Sequence, residues 1–233
     1  MDISYHGPVV VFDLDDTLFR ERDYCRSGFR LIERRLLEIF GPRMLGIGMR
    51  MGTLLNRREN YFTLLEMVLA EAGAPDELMP ELVSAYRSHI PVNLPLAPGA
   101  GEMLEALRQR GVVMAIVTDG RSVTQRAKIN ATGLDRFIAP ENIYISEEQG
   151  ADKTHPDSFR KIVAAYPEAS RFIYLGDNAR KDFYWPNMLG WSTFMVPRHH
   201  DNVHPDYQPV DQMEAPGTKL GNIGELICHL SGG

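Results

Sequence analysis

The apolar run Pro8-Val9-Val10-Val11-Phe12 breaks off into Asp13-Leu14-Asp15-Asp16-Thr17, and this junction constrains the fold more than any other segment. Such a run, rich in β-branched valine, suits a parallel strand buried on both faces. Open α/β sheets place their sites at the carboxyl ends of such strands, so the acids fall where chemistry is expected. If the strand continues, Asp13 and Asp15 point to the same side of the chain; if it turns, both still face one crevice. Two carboxylates so close need a cation, a shared proton or water. Asp and Thr also begin helices and close Asx-turns, so a capped turn accounts for the same residues.

Further strand-like runs follow at Val112–Val117, Ile143–Ile145, Phe172–Leu175 and Thr193–Val196. Helical segments are expected between them. Glu102–Arg110 closes on Gly111, Arg121–Thr132 closes on Gly133, Pro156 opens a segment to about Tyr166, and Asp177 begins another running toward Gly190. Asn222–Leu230 reads as a closing helix that packs Ile223, Leu226, Ile227 and Leu230. This alternation predicts an α/β fold, a doubly wound parallel sheet covered on both faces. Between Leu18 and Pro98 no strand is visible, although a crossover needs only a dozen or so residues. An inserted helical domain is the simplest account, with residues 20–96 forming it and residues 1–19 and 97–233 forming the sheet domain. Its expected packing stripes are Phe29, Ile32, Leu36, Ile39 and Phe40, then Tyr61, Leu64, Leu65, Val68 and Leu69, with a third helix from near Pro75 to about His89. Arg34, Arg35, Arg57 and Arg58 read as solvated charge on the outer faces.

Composition narrows the class. With 44% hydrophobic and 24% charged residues and no repeat or low-complexity tract, the chain is globular rather than disordered. The formal charge of −6 argues against nucleic acid as the partner, while leaving a small anionic substrate open. The two cysteines, Cys25 and Cys228, are far apart, so free thiols in a reducing compartment are expected. The start, Met1 to His6, lacks a basic region followed by an apolar stretch, and no run of about 20 apolar residues occurs, so a cytoplasmic location and no membrane contact are expected. Oligomeric state is not readable; a monomer or homodimer is expected.

Four stations end a strand or open a helix with polar residues: Asp13-x-Asp15-x-Thr17, Thr118-Asp119-Gly120, Lys153, and Gly176-Asp177 with Asp182 beyond. In a parallel sheet these strand ends share one edge, so groups distant in sequence converge. Carboxylates gathered there would repel unless a hard divalent cation such as Mg²⁺ neutralised them, and a lysine would balance an incoming phosphate.

In their order and spacing, these stations resemble the four motifs of the haloacid dehalogenase superfamily, and the match spans nearly the whole chain. Asp119-Gly120-Arg121, Gln125-Arg126-Ala127-Lys128, Lys153-x-x-Pro156 and Gly176-Asp177-Asn178 resemble its small phosphatase members. The helical insertion after the first motif is similar to the C1 caps of phosphoglycolate phosphatase and nucleotidase relatives. The resemblance implies a Rossmann-like core and a Mg²⁺-dependent phosphatase acting on a small phosphorylated metabolite. It makes Asp13 the nucleophile that becomes an aspartyl-phosphate, and Asp15 the acid and then base, with its backbone carbonyl on the metal. Thr118 and the backbone amide of Asp119 would hold phosphate oxygens, Lys153 would screen charge, and Asp177 would bind metal along with Asp13. Asp182 would orient a metal-bound water or pair with Lys153, and Thr17 would seat the loop or touch phosphate.

Thr154, His155 and Trp185-Pro186 depart from the family pattern and are expected to reshape the rim rather than the chemistry. His199, His200, Asp201 and His204 read as a solvated loop rather than a transition-metal site, because the stretch is polar and Pro-rich. Three other functions use related parts. A 2-haloacid dehalogenase would need neither Asp15 nor Asp177, a phosphomutase would return the phosphate to a second hydroxyl, and a phospho-accepting regulator would need no helical insertion.

Overall fold

The computed structural model describes residues 5–55, 61–200 and 202–230. Met1 to Ser4, Arg57, Arg58 and Asp201, and the side chain of Tyr61, lie outside the described residues. Six parallel strands form one sheet in the order β3-β2-β1-β4-β5-β6. These are β1 (Pro8–Phe12), β2 (Val113–Thr118), β3 (Ile143–Ile145), β4 (Arg171–Gly176), β5 (Ser192–Met195) and β6 (Thr218–Lys219). The chain winds outward from β1 through β2 to β3, then returns to the other side of β1 and continues through β4 to β6. The direction of winding therefore reverses between β1 and β4, and a crevice opens at their carboxyl ends. Registers Phe12↔Ile116 and Phe12↔Leu175 bring Asp13 level with the last residues of both neighbours.

Strand residues alternate between two buried layers. Val10 and Phe12 face Met103, Leu104 and Leu107 of α5 (Ala100–Gln109) together with Leu226, while Val9 and Val11 face Phe159 and Ile162 of α8 (Asp157–Ala165). Each such side chain gains roughly 1.5–3 kcal/mol on leaving water, which explains why the strands read as continuous apolar runs.

Between β1 and β2 the chain forms α1 (Glu21–Phe40), α2 (Ile47–Leu55), α3 (Tyr61–Ala72) and α4 (Met79–Ser88). Phe29, Ile32 and Leu36 pack with Leu64, Leu65, Val68 and Leu82. The two connections to the sheet run side by side, paired by Ala97 N–H donating to the Leu18 carbonyl at 2.8 Å. None of the helices among the described residues is long and apolar enough to cross a membrane.

Two elements were not expected, and three expectations differ from what is observed. The helix α2 is short and holds Gly48 and Gly52, poor helix formers, and β6 has only two residues. Ile39 is 47% exposed because it lies off the buried stripe of α1. No helix starts at Asp177: the Asp182 carboxylate accepts the backbone N–H groups of Asp177 and Asn178 at 3.1 and 2.8 Å, and only α9 (Tyr184–Met188) is helical. Asn222–Leu230 divides into a 3₁₀ turn and the short α10 (Leu226–Leu230).

Candidate active site

Asp13 begins where β1 ends, its N–H donating to the Leu175 carbonyl of β4 at 2.8 Å. Its Oδ1 accepts from Lys153 Nζ at 2.6 Å and its Oδ2 from the Thr17 hydroxyl at 3.2 Å. Lys153 Nζ also reaches Asp182 Oδ1 at 2.5 Å, so this buried lysine bridges two carboxylates from opposite halves of the sheet. Gly176 permits this approach, since a Cβ there would sit 2.5 Å from Asp182 Oδ2. Burial works against the Lys153 charge, but Asp13 and Asp182 outweigh it and hold the ammonium well above its ordinary range.

Oxygens of Asp13, Asp177 and Asp182 lie within 4.8 Å of one another. Burial pushes the Asp13 carboxyl up to about 7 against the pull of Lys153, with Asp182 adding repulsion. Burial, then Asp182 and Asp13, hold Asp177 well above the carboxylate range. Lys153 and Arg198 offset only part of the charge of three carboxylates, and a divalent cation of the Mg²⁺ type fits such a cluster of hard oxygen donors. Asp182 already accepts from Lys153, Tyr174, Asp177 and Asn178, whereas Asp13 and Asp177 keep lone pairs for a cation.

Thr118 ends β2, and its hydroxyl accepts from Gln125 Nε2 at 2.6 Å. Asp119 is tied to the same corner: its carboxylate accepts Lys153 N–H at 2.9 Å and Lys181 Nζ at 3.0 Å. Asp15 stands opposite, held by Lys128 Nζ at 2.7 Å and Gln125 Nε2 at 2.8 Å, both from α6 (Ser122–Thr132). The next residue, Asp16, adopts a left-handed φ of 55°, unusual for a side-chain-bearing residue, and its carboxylate offsets the strain by accepting Glu21 N–H and Val203 N–H.

A cavity of about 420 Å³ opens over these groups. The strand ends supply Asp13, Asp15, Thr118, Asp119 and Asp177, the loop before α8 supplies Lys153, and α1, α2 and α4 supply Glu21, Tyr24, Cys25, Leu55, Tyr86 and Arg87. Its volume suits a small ligand.

All eight residues singled out from sequence converge on this crevice, although Thr17 and Asp182 do not line it and reach it only through Asp13 and Lys153. Sequence reasoning gave no role to Gln125, Lys128, Lys181 or Arg198. Two of these had a readable signal: the inner face of α6 buries Gln125, Lys128 and Thr132 beside Ile129, and a helix with a polar inner face is not merely packing. Arg198 had none. It lies in the loop after β5, where its guanidinium grips Asp177 Oδ2 at 2.7 Å and the Asp177 carbonyl at 2.6 Å. Asn202 also donates to Asp177 Oδ2, at 2.9 Å, and Val203 and His204 line the cavity. The histidine-containing loop is thus fastened over the crevice rather than simply solvated.

A reversing parallel sheet with a lysine-bridged acid cluster at the reversal defines a strand-end hydrolase site. The chain belongs to the haloacid dehalogenase-like hydrolases, whose family profile matches residues 8–183. It is similar to glyceraldehyde 3-phosphate phosphatase of Pyrococcus abyssi, 29% identical over 203 residues that cover 79% of each chain. It is also similar to phosphoserine phosphatase of Thermus thermophilus, 30% identical over 162 residues, 68% of this chain and 60% of that protein. In fold it resembles the HAD-hydrolase YfnB of Bacillus subtilis, solved with bound magnesium, at a TM-score of 0.66 with 97% and 99% of the two chains covered and 21% identity.

Proposed function

We propose that this protein is a Mg²⁺-dependent phosphatase that hydrolyses a small phosphomonoester through an aspartyl-phosphate on Asp13, with residues 20–96 serving as a cap. The observation that carries this reading is the Asp13–Lys153–Asp182 chain, which sets a carboxylate nucleophile against a cation beside Asp177 and Thr118. Relatives named as phosphatases of glyceraldehyde 3-phosphate and phosphoserine agree with a small substrate.

Asp13 would attack phosphorus in line, and the bond from phosphorus to the leaving oxygen would break as the aspartyl-phosphate forms. Asp15 would give its proton to that oxygen. It would then take a proton from water while the water oxygen attacks phosphorus and Asp13 is released as carboxylate. Lys153 would screen the repulsion between Asp13 and the phosphate, and Thr118 with the Asp119 amide would hold phosphate oxygens. Asp13, Asp177 and the Asp15 carbonyl would hold Mg²⁺, which when bound supplies charge neutralisation at the phosphate. Tyr24, Leu55 and Tyr86 would face the organic part and exclude water.

Phosphate release from a panel of small phosphomonoesters, with Mg²⁺ and with EDTA, tests the reading. Turnover that EDTA abolishes supports it; release of halide from 2-haloacids with no phosphate release from any ester replaces it with the dehalogenase.

A further inference from the structure

The inner face of α6 carries two polar side chains that no step above requires, yet both are buried: Gln125 is 1% exposed and Lys128 3%. They are three residues apart and so share one helix face. Gln125 spends both amide hydrogens at the site, one on Asp15 Oδ2 and one on Thr118 Oγ1. Both bonds run from the Gln125 nitrogen, and the Thr118 hydroxyl, already accepting, turns its own proton elsewhere. Gly120, at φ 146°, leaves room for this side chain, since a Cβ there would meet Gln125 Cγ and Cδ at 3.1 Å. Lys128 takes the other Asp15 oxygen at 2.7 Å, lies 3.7 Å from Glu21 Oε1, and sits over the Tyr24 ring at 4.7 Å. Glu21 is the first residue of α1, and its Oε2 is buried with no hydrogen-bond partner.

We propose that Gln125 and Lys128 are positioning residues: together they aim the Asp15 carboxyl at the leaving oxygen and the Thr118 hydroxyl proton at the phosphate, and Lys128 ties that alignment to Glu21 of α1. Both contacts to Asp15 are charge-assisted and strengthen as its proton departs, so they act in the transition state more than in the ground state. The inference rests on Asp15 being the acid of the reaction proposed above.

The test compares two esters in the full chain with Mg²⁺: an alkyl phosphomonoester, whose alkoxide needs a proton to leave, and p-nitrophenyl phosphate, whose phenolate does not. The readout is kcat/KM, which reports the steps up to departure of the leaving oxygen and not the hydrolysis of the aspartyl-phosphate that both esters share. Asp15→Asn is expected to lose about 10²-fold or more in kcat/KM on the alkyl ester and far less on the aryl ester. Lys128→Met is expected to repeat that pattern at about 10- to 100-fold, with Lys128→Arg recovering part of it. Gln125→Leu, which keeps the volume without the donors, is expected to show the same ester dependence and to weaken inhibition by inorganic phosphate about threefold or more. Equal losses in kcat/KM on both esters, or none, in the Lys128 and Gln125 variants would overturn the positioning role while leaving Asp15 as the acid. An Asp15→Asn variant whose kcat/KM falls equally on both esters removes the acid reading and the inference with it. If Lys128→Met does not fold, Lys128→Arg and Gln125→Leu decide.

Discussion

Two buried lysines face this crevice, and each stands between two carboxylates. Lys153 links Asp13 to Asp182, side chains 7% and 0% exposed, through contacts of 2.6 and 2.5 Å. Lys128 links Asp15, 16% exposed, to Glu21, 19% exposed, through contacts of 2.7 and 3.7 Å. The first group lies on the end of β1 and on loops at the same edge of the sheet, and the backbone N–H groups of Asp13, Lys153 and Asp182 are all hydrogen-bonded. The second spans from the sheet to the first residue of α1, and its looser arm is the one that crosses. A charge cluster that must hold one geometry is built on the sheet alone; one that could respond to the inserted helices shares a member with them.

The sharpest way to break this contrast is at the nucleophile. Asp13→Asn removes the attacking carboxylate while keeping its shape, and kcat is expected to fall on the order of 10⁴-fold or more. Residual turnover near the parent level in a steady-state assay would make the Lys153 corner structural only.

Stability separates the two lysines next. Lys153→Met leaves two enclosed carboxylates without a partner, at an expected cost of about 3–5 kcal/mol, or roughly 10 °C in Tm for a chain of this length. Lys128→Met, whose partners reach water, is expected to cost less than half of that. Equal losses in thermal unfolding would erase the distinction between a closed and an open charge group.

Cation addition sharpens it further. Asp13 and Asp177 are held above their ordinary range by burial, so Mg²⁺ at a hundredfold excess over its Kd is expected to stabilise the fold by about 2–3 kcal/mol. Asp177→Asn should lose that increment, whereas Glu21→Gln should keep it. Thermal unfolding with Mg²⁺ and with EDTA reads this without any substrate.

The smallest effect lies on the helical side. His89 follows α4, with Nδ1 donating to the Tyr86 carbonyl at 2.6 Å and its ring 4.3 Å from that of Tyr24. Burial, against the help of that carbonyl, lowers its pKa below the ordinary 6.5. The folded state thus disfavours the charged ring: its contribution is complete above pH 6.5 and declines as pH falls below that value. The Tm of the parent should therefore drop more between pH 7.5 and pH 5 than that of His89→Gln; matching slopes would show that the ring titrates as in the unfolded chain.

Legibility in the sequence followed the range of the forces involved. Each strand except β6 was visible because burial on both faces leaves an uninterrupted apolar run, as in Val9–Val11 and Ile173–Leu175. α1 and α3 were visible because one packed face imposes a 3.6-residue period. The stretch Asp177–Phe183 misled: its local pattern suits a helix start, but Asp182 folds back onto the amides of Asp177 and Asn178, a tertiary arrangement that propensity does not encode.

By itself the sequence determined the alternating α/β fold, the helical interruption after β1, and the acids, threonine and lysine at the strand ends. These follow from local periodicity and from the rule that parallel strands end at one edge. Only the tertiary structure decided which cation meets which carboxylate. Lys153 and Asp13 are 140 residues apart, Lys128 and Asp15 113, and Arg198 and Asp177 21. An ion pair depends on distance in space and on exclusion of water, and neither is fixed until the sheet reverses between β1 and β4 and α1–α4 close over its end.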